Sequence, residues 1–305
     1  MAEDYPQTML ELERRFSNED ACREYLTALR WPEGFVCPRC GVSKSLEIRR
    51  DLWRCLACRR EVSVTAGTVF QDSKLPLTLW FRAMWQITSQ KNGVSAIGLQ
   101  RVLGLGSYKT AWTVMHKLRR AMVRPGRDRL RGIVEVDEAY WGGEEEAVHG
   151  RQTTDKALIA VAAEADGTKL GRIRLRHIPD CTRKTLHGFI AEAIEPASTV
   201  QTDGWQAYRE LQGYVHQPVV QRRQPPDKAH LLPRVHLVIS LLKRWLMGTH
   251  QGAIGSDYLQ DYLDEFTFRF NRRTSSSRGK LFYRLAQQAV QTAPTTYDNL
   301  GNHNP

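Results

Sequence analysis

The sequence predicts an α/β protein: a mixed strand-and-helix domain fills its second half, preceded by a small thiol-rich module and a short run of helices. Three observations carry that prediction. The stretch from Ile133 to Trp141, "IVEVDEAYW", is rich in Val, Ile and Tyr, which favour a pleated backbone, and Gly142-Gly143 beyond it suits a turn. Two Cys-x-x-Cys pairs lie close together in the first fifth of the chain. After Ile133, strand-like segments alternate with segments of helical periodicity.

The chain has 305 residues, enough for two domains or one large one with appendages, and its hydrophobic fraction of 41% excludes a disordered chain. Lys and Arg exceed Asp and Glu by 44 − 33 = 11, which points to an anionic partner, nucleic acid first. The N-terminal "MAEDYPQTMLELERRF" has no apolar signal region, and no run approaches the roughly 18 apolar residues of a membrane span. A cytoplasmic protein without membrane contact is expected. In a reducing compartment paired cysteines read as metal ligands; Cys22 and Cys181 stand apart as packing residues.

Residues 1–34 read as a helical lead-in, with a break and fresh start at Ser17 to Asp20. Residues 35–70 read as a zinc ribbon. Cys37 and Cys40 form one knuckle and Cys55 and Cys58 another, with fourteen residues between the pairs, so that four sulfurs complete a tetrahedral, structural site with no open position. Arg39, Arg49, Arg50, Arg54, Arg59 and Arg60 decorate the module as phosphate contacts or as a solvated basic face. In 71–124 an apolar helix through Leu77, Phe81, Trp85 and Ile87 ends near Asn92-Gly93, and two more follow, joined by "GLG" and capped by Ser95 and Ser107. This order matches a helix-turn-helix, whose last helix would offer Tyr108, Lys109, Thr110 and Thr113 to bases, with Arg119 and Arg120 near the DNA backbone. A basic linker, 125–132, then marks a boundary.

In 133–250 the alternation of side chains along the first strand sets Glu135 and Asp137 on one face and Glu138 on the other. A carboxylate in a buried strand needs something cationic to meet it. "ALIAVAAEA" and "GRIRLRHI" complete a three-stranded meander; Thr182 to Ala193 reads as a helix, "STVQTDGW" as a short strand ending at Asp203, "WQAYRELQG" as a helix, "YVHQPVV" as a strand. "PRVHLVISLLKRWLMG" is a helix opened by Pro233 and closed by Gly248. Three antiparallel strands, helix, strand, helix, strand, helix is the order of a ribonuclease H-like domain, in which the first and fourth strands are neighbours and Asp137 would meet Asp203. Residues 251–290 read as a C-terminal helical extension and 291–305 as a flexible tail.

The segments "CPRCG", "GTVFQDSKLPLTLWF", "VEVDEAYWGG", "QTDGW", "HLVISLLKRWLMGTH" and "YLDEFTFRFNRR" together resemble bacterial insertion-sequence transposases of the ISXO type, with an N-terminal zinc ribbon and a ribonuclease H-like, DDE-type catalytic domain. The resemblance runs from about Phe35 to Leu285. It implies that Asp137 and Asp203 are the first two catalytic acids, holding Mg²⁺ or Mn²⁺. It further implies a protein that acts on double-stranded DNA, at element ends and target, as a homo-oligomer on the nucleoid. The third position departs from the family pattern: where relatives carry Glu or Asn seven residues before a Lys, this chain has His236 before Lys243. His236, Ser240 and Lys243 share one helical face, and an imidazole ligand favours Mn²⁺. Asp264 and Glu265 compete for that place, although their segment reads as a helix packed beside the core. Glu144 to Glu146 read as a solvated hairpin tip. Lys243 would contact phosphate, and Arg269, Arg272, Arg273, Arg278 and Lys280 form a basic tail for DNA. A ribonuclease H-like nuclease and a catalytically inactive, transposase-derived DNA-binding protein remain the alternative functions.

Overall fold

The computed structural model describes residues 3–49, 51–142, 156–219 and 232–300. Arg50, Gly143 and the acidic run Glu144 to Glu146 fall outside them. The chain divides into two compact units, one of Met1–Arg124 with Thr274–Pro305, the other of Pro125–Arg273.

In the first unit, α1 (Met9–Arg15) and α2 (Glu19–Arg30) are capped by Thr8 and Asn18, whose side chains accept from the Glu11 and Ala21 N–H groups. Three short strands follow, β1 (Ser45–Arg49), β2 (Leu52–Cys55) and β3 (Glu61–Ser63), in one antiparallel sheet. Next come α3 (Leu77–Ser89), α4 (Ala96–Leu103) and α5 (Tyr108–Arg120). Ser95 and Ser107 cap α4 and α5 as expected, and Gly104, at φ 64°, supplies the left-handed residue that ends α4. α3 opens at Pro76 without a capping side chain of its own; Glu19 of α2 accepts the Leu77 and Thr78 N–H groups instead, both at 3.0 Å. The segment read as one C-terminal extension is divided between the units. Its last helix, α9 (Arg278–Ala289), packs against α2 and α3, where Phe282 meets Phe16, Tyr25, Phe81 and Trp85. The following segment, expected to be a flexible tail, lies along α5 up to the buried Leu300.

The second unit is a five-stranded sheet of β4 (Ile133–Trp141), β5 (Ala157–Asp166), β6 (Lys169–Ile178), β7 (Thr199–Thr202) and β8 (Val215–Pro218), in the order β6-β5-β4-β7-β8. The first three strands form the expected antiparallel meander, and β4 pairs with β7 in parallel. One face packs on α7 (Pro233–His250) and α8 (Leu259–Phe270) through Val161, Leu175, Val238 and Leu242; the other packs on α6 (Arg183–Ala193) through Val136, Ala160 and Phe189. The helix expected over Trp205 to Gly213 shrinks to a single 3₁₀ turn, Gln206–Tyr208. Tyr208 is fully buried, and Glu210 turns into the left-handed region at φ 60°, which halts helix propagation.

The free edge of β6 is closed by α8. The Asn271 side-chain amide accepts from the Ile173 N–H at 2.8 Å and donates to the Ile173 carbonyl at 3.1 Å, while Gln260 accepts the His177 N–H at 2.8 Å. Two amide side chains thus stand in for a missing sixth strand. The segment "YLDEFTFRFNRR" accordingly has a mechanical job at the sheet edge.

Candidate functional site

The two cysteine pairs fold into near-identical knuckles. In each, the residue after the second cysteine turns back through the left-handed region, Gly41 at φ 73° and Arg59 at φ 61°. The Gly41 N–H bonds the Cys37 carbonyl at 2.9 Å and the Arg59 N–H bonds the Cys55 carbonyl at 3.0 Å. This brings Cys37 to Cys58 and Cys40 to Cys55 at 3.6 Å between sulfurs, and all four sulfurs within 4.8 Å of one another. Four thiolates bound at about 2.3 Å to one tetrahedral zinc would lie about 3.8 Å apart, so the cluster fits that ion. Charge points the same way. Burial opposes ionisation of Cys37, yet the Arg39 and Cys40 N–H groups and the Cys58 thiol bring it down to about 6. Cys40 accepts the Val42 N–H, but burial and the other three sulfurs still push it up to about 12. Four thiolates this close need a shared cation.

The second cluster lies midway along β4, beside the C-terminal end of β7. The last parallel pair between β4 and β7 sets Glu135 opposite Gln201, and Asp137 and Asp203 each follow two residues later. The two aspartates share an environment: Tyr208, raised well above the usual tyrosine range by burial and by Glu138, also feels the charges of both Asp137 and Asp203. One oxygen of each aspartate is oriented by local backbone, Asp137 Oδ1 by the Glu138 N–H at 2.9 Å and Asp203 Oδ1 by the Trp205 N–H at 3.0 Å. Asp137 Oδ2 faces His236 Nε2 of α7 at 3.3 Å, the imidazole half exposed. His236, Ser240 and Lys243 form the exposed stripe of α7, with Val238, Leu242 and Trp245 buried behind it. Among the described residues, the thiol cluster is the only group of three or more His, Cys, Asp or Glu side chains gathered closely enough to hold one ion.

The competing acids lie elsewhere. Glu265 is fully buried on α8 and paired with Arg269 at 3.3 Å, and Asp264 accepts from Gln260 at 2.9 Å; α8 packs on β6, at the far edge of the sheet from β7.

Two residues at this site escaped the sequence reading of roles. Glu138, on the opposite face of β4 from Asp137, accepts the Tyr208 hydroxyl at 2.5 Å beneath the aspartates. Glu135 meets the cation its burial demands, Arg234 at 2.8 Å. The signal for Glu135 was available: a helix starting with Pro233 and lacking a capping residue needs an acceptor from elsewhere.

Tyr108, Lys109 and Thr110 occupy the exposed first turn of α5 and Thr113 the next; the Thr113 hydroxyl donates to the Lys109 carbonyl. The Lys109 ammonium sits 3.8 Å from the centre of the Tyr297 ring, and Arg120 donates to Thr295 and to the Asn299 carbonyl. Arg119 corrects an expectation. At 1% exposure, beside His116 at 3.2 Å, it is a core residue out of reach of a phosphate. Much of the basic tail is also engaged within the protein. Arg273 donates to the Gly171 and Leu170 carbonyls, Arg272 covers the Phe268 ring, and Lys280 pairs with Glu3.

The comparisons with known proteins follow the same division. A family model described as ISXO2-like transposase domain matches residues 129–271, and one described as transposase zinc-ribbon domain matches residues 17–61. The chain thus carries one segment similar to a transposase domain and one similar to a transposase zinc ribbon. The transposase match runs from just before β4 to the end of α8 and so contains Asp137, Asp203 and His236. A Halobacterium salinarum protein, described as an uncharacterized protein in transposable element ISH50, is 28% identical over 284 residues, covering 84% of this chain and 92% of that one. Among solved structures, a chain in the cryo-EM structure of the simian T-cell lymphotropic virus intasome in complex with PP2A regulatory subunit B56 gamma aligns over 68% of this chain and 71% of that chain, at 16% identity and a TM-score of 0.32. Among the described residues no helix is long and apolar enough to cross a membrane.

Proposed function

We propose that the protein is a DDE-type DNA transposase that binds the terminal inverted repeats of a mobile element, hydrolyses DNA at the element ends and joins the freed 3′-hydroxyls to target DNA. The observation that carries this reading is that His236 of α7 faces Asp137 at 3.3 Å while β4 and β7, which bear Asp137 and lead to Asp203, run side by side in parallel, inside the segment matched by the transposase domain. The sheet order supports a ribonuclease H-like fold for the second unit, and α3 to α5 with their short glycine turn support a helix-turn-helix.

The carboxylate oxygens of Asp137 and Asp203 and the His236 imidazole would hold Mg²⁺ or Mn²⁺. A divalent cation there supplies neutralisation of phosphate charge and lowers the pKa of an attacking water or hydroxyl. The chain's own residues do the rest. Asp137 and Asp203 hold their carboxylates oriented through the backbone N–H groups of Glu138 and Trp205, and Lys243, exposed on the same stripe as His236, meets a phosphate oxygen. The first two turns of α5, with Tyr108, Lys109, Thr110 and Thr113, read bases, while Arg120 and Arg272 contribute positive charge to the backbone grip. The protein works in the cytoplasm on the nucleoid, as a homo-oligomer that brings two element ends together.

The test is a cleavage and strand-joining assay on duplex DNA carrying the flanking ends, with Mg²⁺ or Mn²⁺. Wild type should cut and join, and Asp137→Asn should do neither; cutting that survives Asp203→Ala refutes the assignment. One observation favours a second reading, a DNA-binding descendant that has lost catalysis: the third position holds His236 and no acid. Under that reading His236→Glu gains activity, whereas a working imidazole ligand predicts a loss.

A further inference from the structure

A second acid on β4 holds the helix that carries His236. α7 begins with Leu232 at its N-cap and Pro233 at its first position, and no side chain of its own caps it. Its first-turn N–H groups turn to Glu135, which is 1% exposed. Glu135 Oε2 accepts from the Arg234 N–H at 2.7 Å and from the Val235 N–H at 2.9 Å, and Oε1 accepts from Arg234 Nη1 at 2.8 Å. The same guanidinium reaches the turn between β5 and β6, donating through Nη2 to the Gly167 carbonyl at 3.1 Å and through Nε to the Lys169 carbonyl at 3.3 Å. A desolvated carboxylate taking two N–H groups at the positive end of a helix, closed over by an arginine, is a rigid joint.

The placement matters because Glu135 and Asp137 share one face of β4, two residues apart, and His236 directly follows Val235. α7 is therefore fastened to β4 at Glu135 and faces it again where His236 meets Asp137 at 3.3 Å. We infer that Glu135 and Arg234 are positioning residues that set the separation of His236 from Asp137 and thereby the cation affinity of the site. This rests on the reading of Asp137, Asp203 and His236 as a cation site. The protein contains its own control. Glu19 caps α3 in the same way, with the helix again opened by a proline, in a part of the chain that carries none of the three proposed cation ligands.

The experiment is Mn²⁺ binding to the full-length protein, read from the electron paramagnetic resonance signal of the free ion, for wild type, Asp203→Ala, Glu135→Gln, Arg234→Ala and Glu19→Gln. Wild type should bind in a manner abolished by Asp203→Ala. Glu135→Gln should raise the Mn²⁺ dissociation constant about tenfold and Arg234→Ala about fivefold, in the range expected when a support of a metal ligand is removed. Glu19→Gln should lower thermal stability and leave the constant unchanged. Arg234→Ala decides between positioning and simple charge, because removing a cation near the site tightens Mn²⁺ if only the field matters. It also keeps both backbone bonds to Glu135, so the question stands even if Glu135→Gln does not fold. Unchanged or tighter Mn²⁺ in Arg234→Ala overturns the inference. Absence of Asp203-dependent binding in wild type overturns the cation site itself, and the positioning role with it.

Discussion

The four ribbon thiols come from two local pairs fifteen residues apart, whereas Asp137, Asp203 and His236 come from three elements separated by 66 and 33 residues. The first set is closed, its sulfurs 3.6 Å apart across the knuckles; the second is open, with His236 half exposed beside Asp137. A closed soft-donor cage suits an ion that holds a fold. Hard oxygen donors with an accessible side suit an ion that must also meet a phosphodiester. The difference teaches that in this chain structural metal chemistry is written locally, and the proposed catalytic chemistry is written in topology.

The largest effect should come from breaking the open set alone. Asp203→Asn is expected to reduce strand cleavage by about 10³-fold while DNA binding, followed by gel shift, stays within a few fold. Comparable loss of binding would mean that the two centres are not separable. Breaking the closed set should do the reverse. The ribbon core consists of little more than Trp31, Phe35, Val62 and two of the cysteines, too small to stand without its ion. Chelation or Cys55→Ser should unfold the ribbon, with zinc contributing on the order of 10 kcal/mol to such modules, and leave Asp203-dependent Mn²⁺ binding in the second unit intact. Proteolysis of the first 70 residues, read by mass spectrometry, checks it.

Asp264 sharpens the boundary of the open set, because it is an acid that burial, not a ligand, governs. Burial pushes it up to about 7, with Gln260 and the Arg127 charge pulling the other way. The folded protein therefore holds a proton that the unfolded chain releases at lower pH. Stability falls as pH rises from about 4 to 7, and the penalty is complete above that window, at most ~4 kcal/mol. Asp264→Asn keeps the acceptor for Gln260, so it should raise the melting temperature at pH 8, do little at pH 4, and leave cleavage unchanged. Lost cleavage would return the α8 acids to the site. The smallest effect lies within the ribbon. Arg59 occupies a left-handed position that its sister knuckle gives to Gly41, so Arg59→Gly should stabilise the zinc-loaded ribbon by about 0.5–1 kcal/mol in a denaturant titration.

Legibility in the sequence followed the same division. The thiol cluster, the N-caps Ser95 and Ser107, and the meander were readable because each depends on neighbours in the chain. The meeting of β4 with β7 was readable from the order of elements, since a parallel pair must be reached by a crossover. What could not be read were contacts decided by burial. Arg119 looked like any cation on a basic helix until its face turned inward beside His116. Arg273 looked like a DNA contact but closes on carbonyls at the start of β6. The segment over Tyr208 had helical composition, and the demand to bury that ring against Glu138 prevailed.

The most direct test of the account is to map what surrounds a bound ion. Loading the full-length protein with Fe²⁺ in place of Mg²⁺, adding ascorbate and peroxide, and sequencing the backbone cuts reports which segments share one cation. Cuts are expected near Asp137, Asp203 and His236, all three suppressed by excess Mg²⁺ and by Asp203→Ala. Cuts near Asp264 and Glu265, or cuts at Asp137 and Asp203 without any in α7, would contradict it.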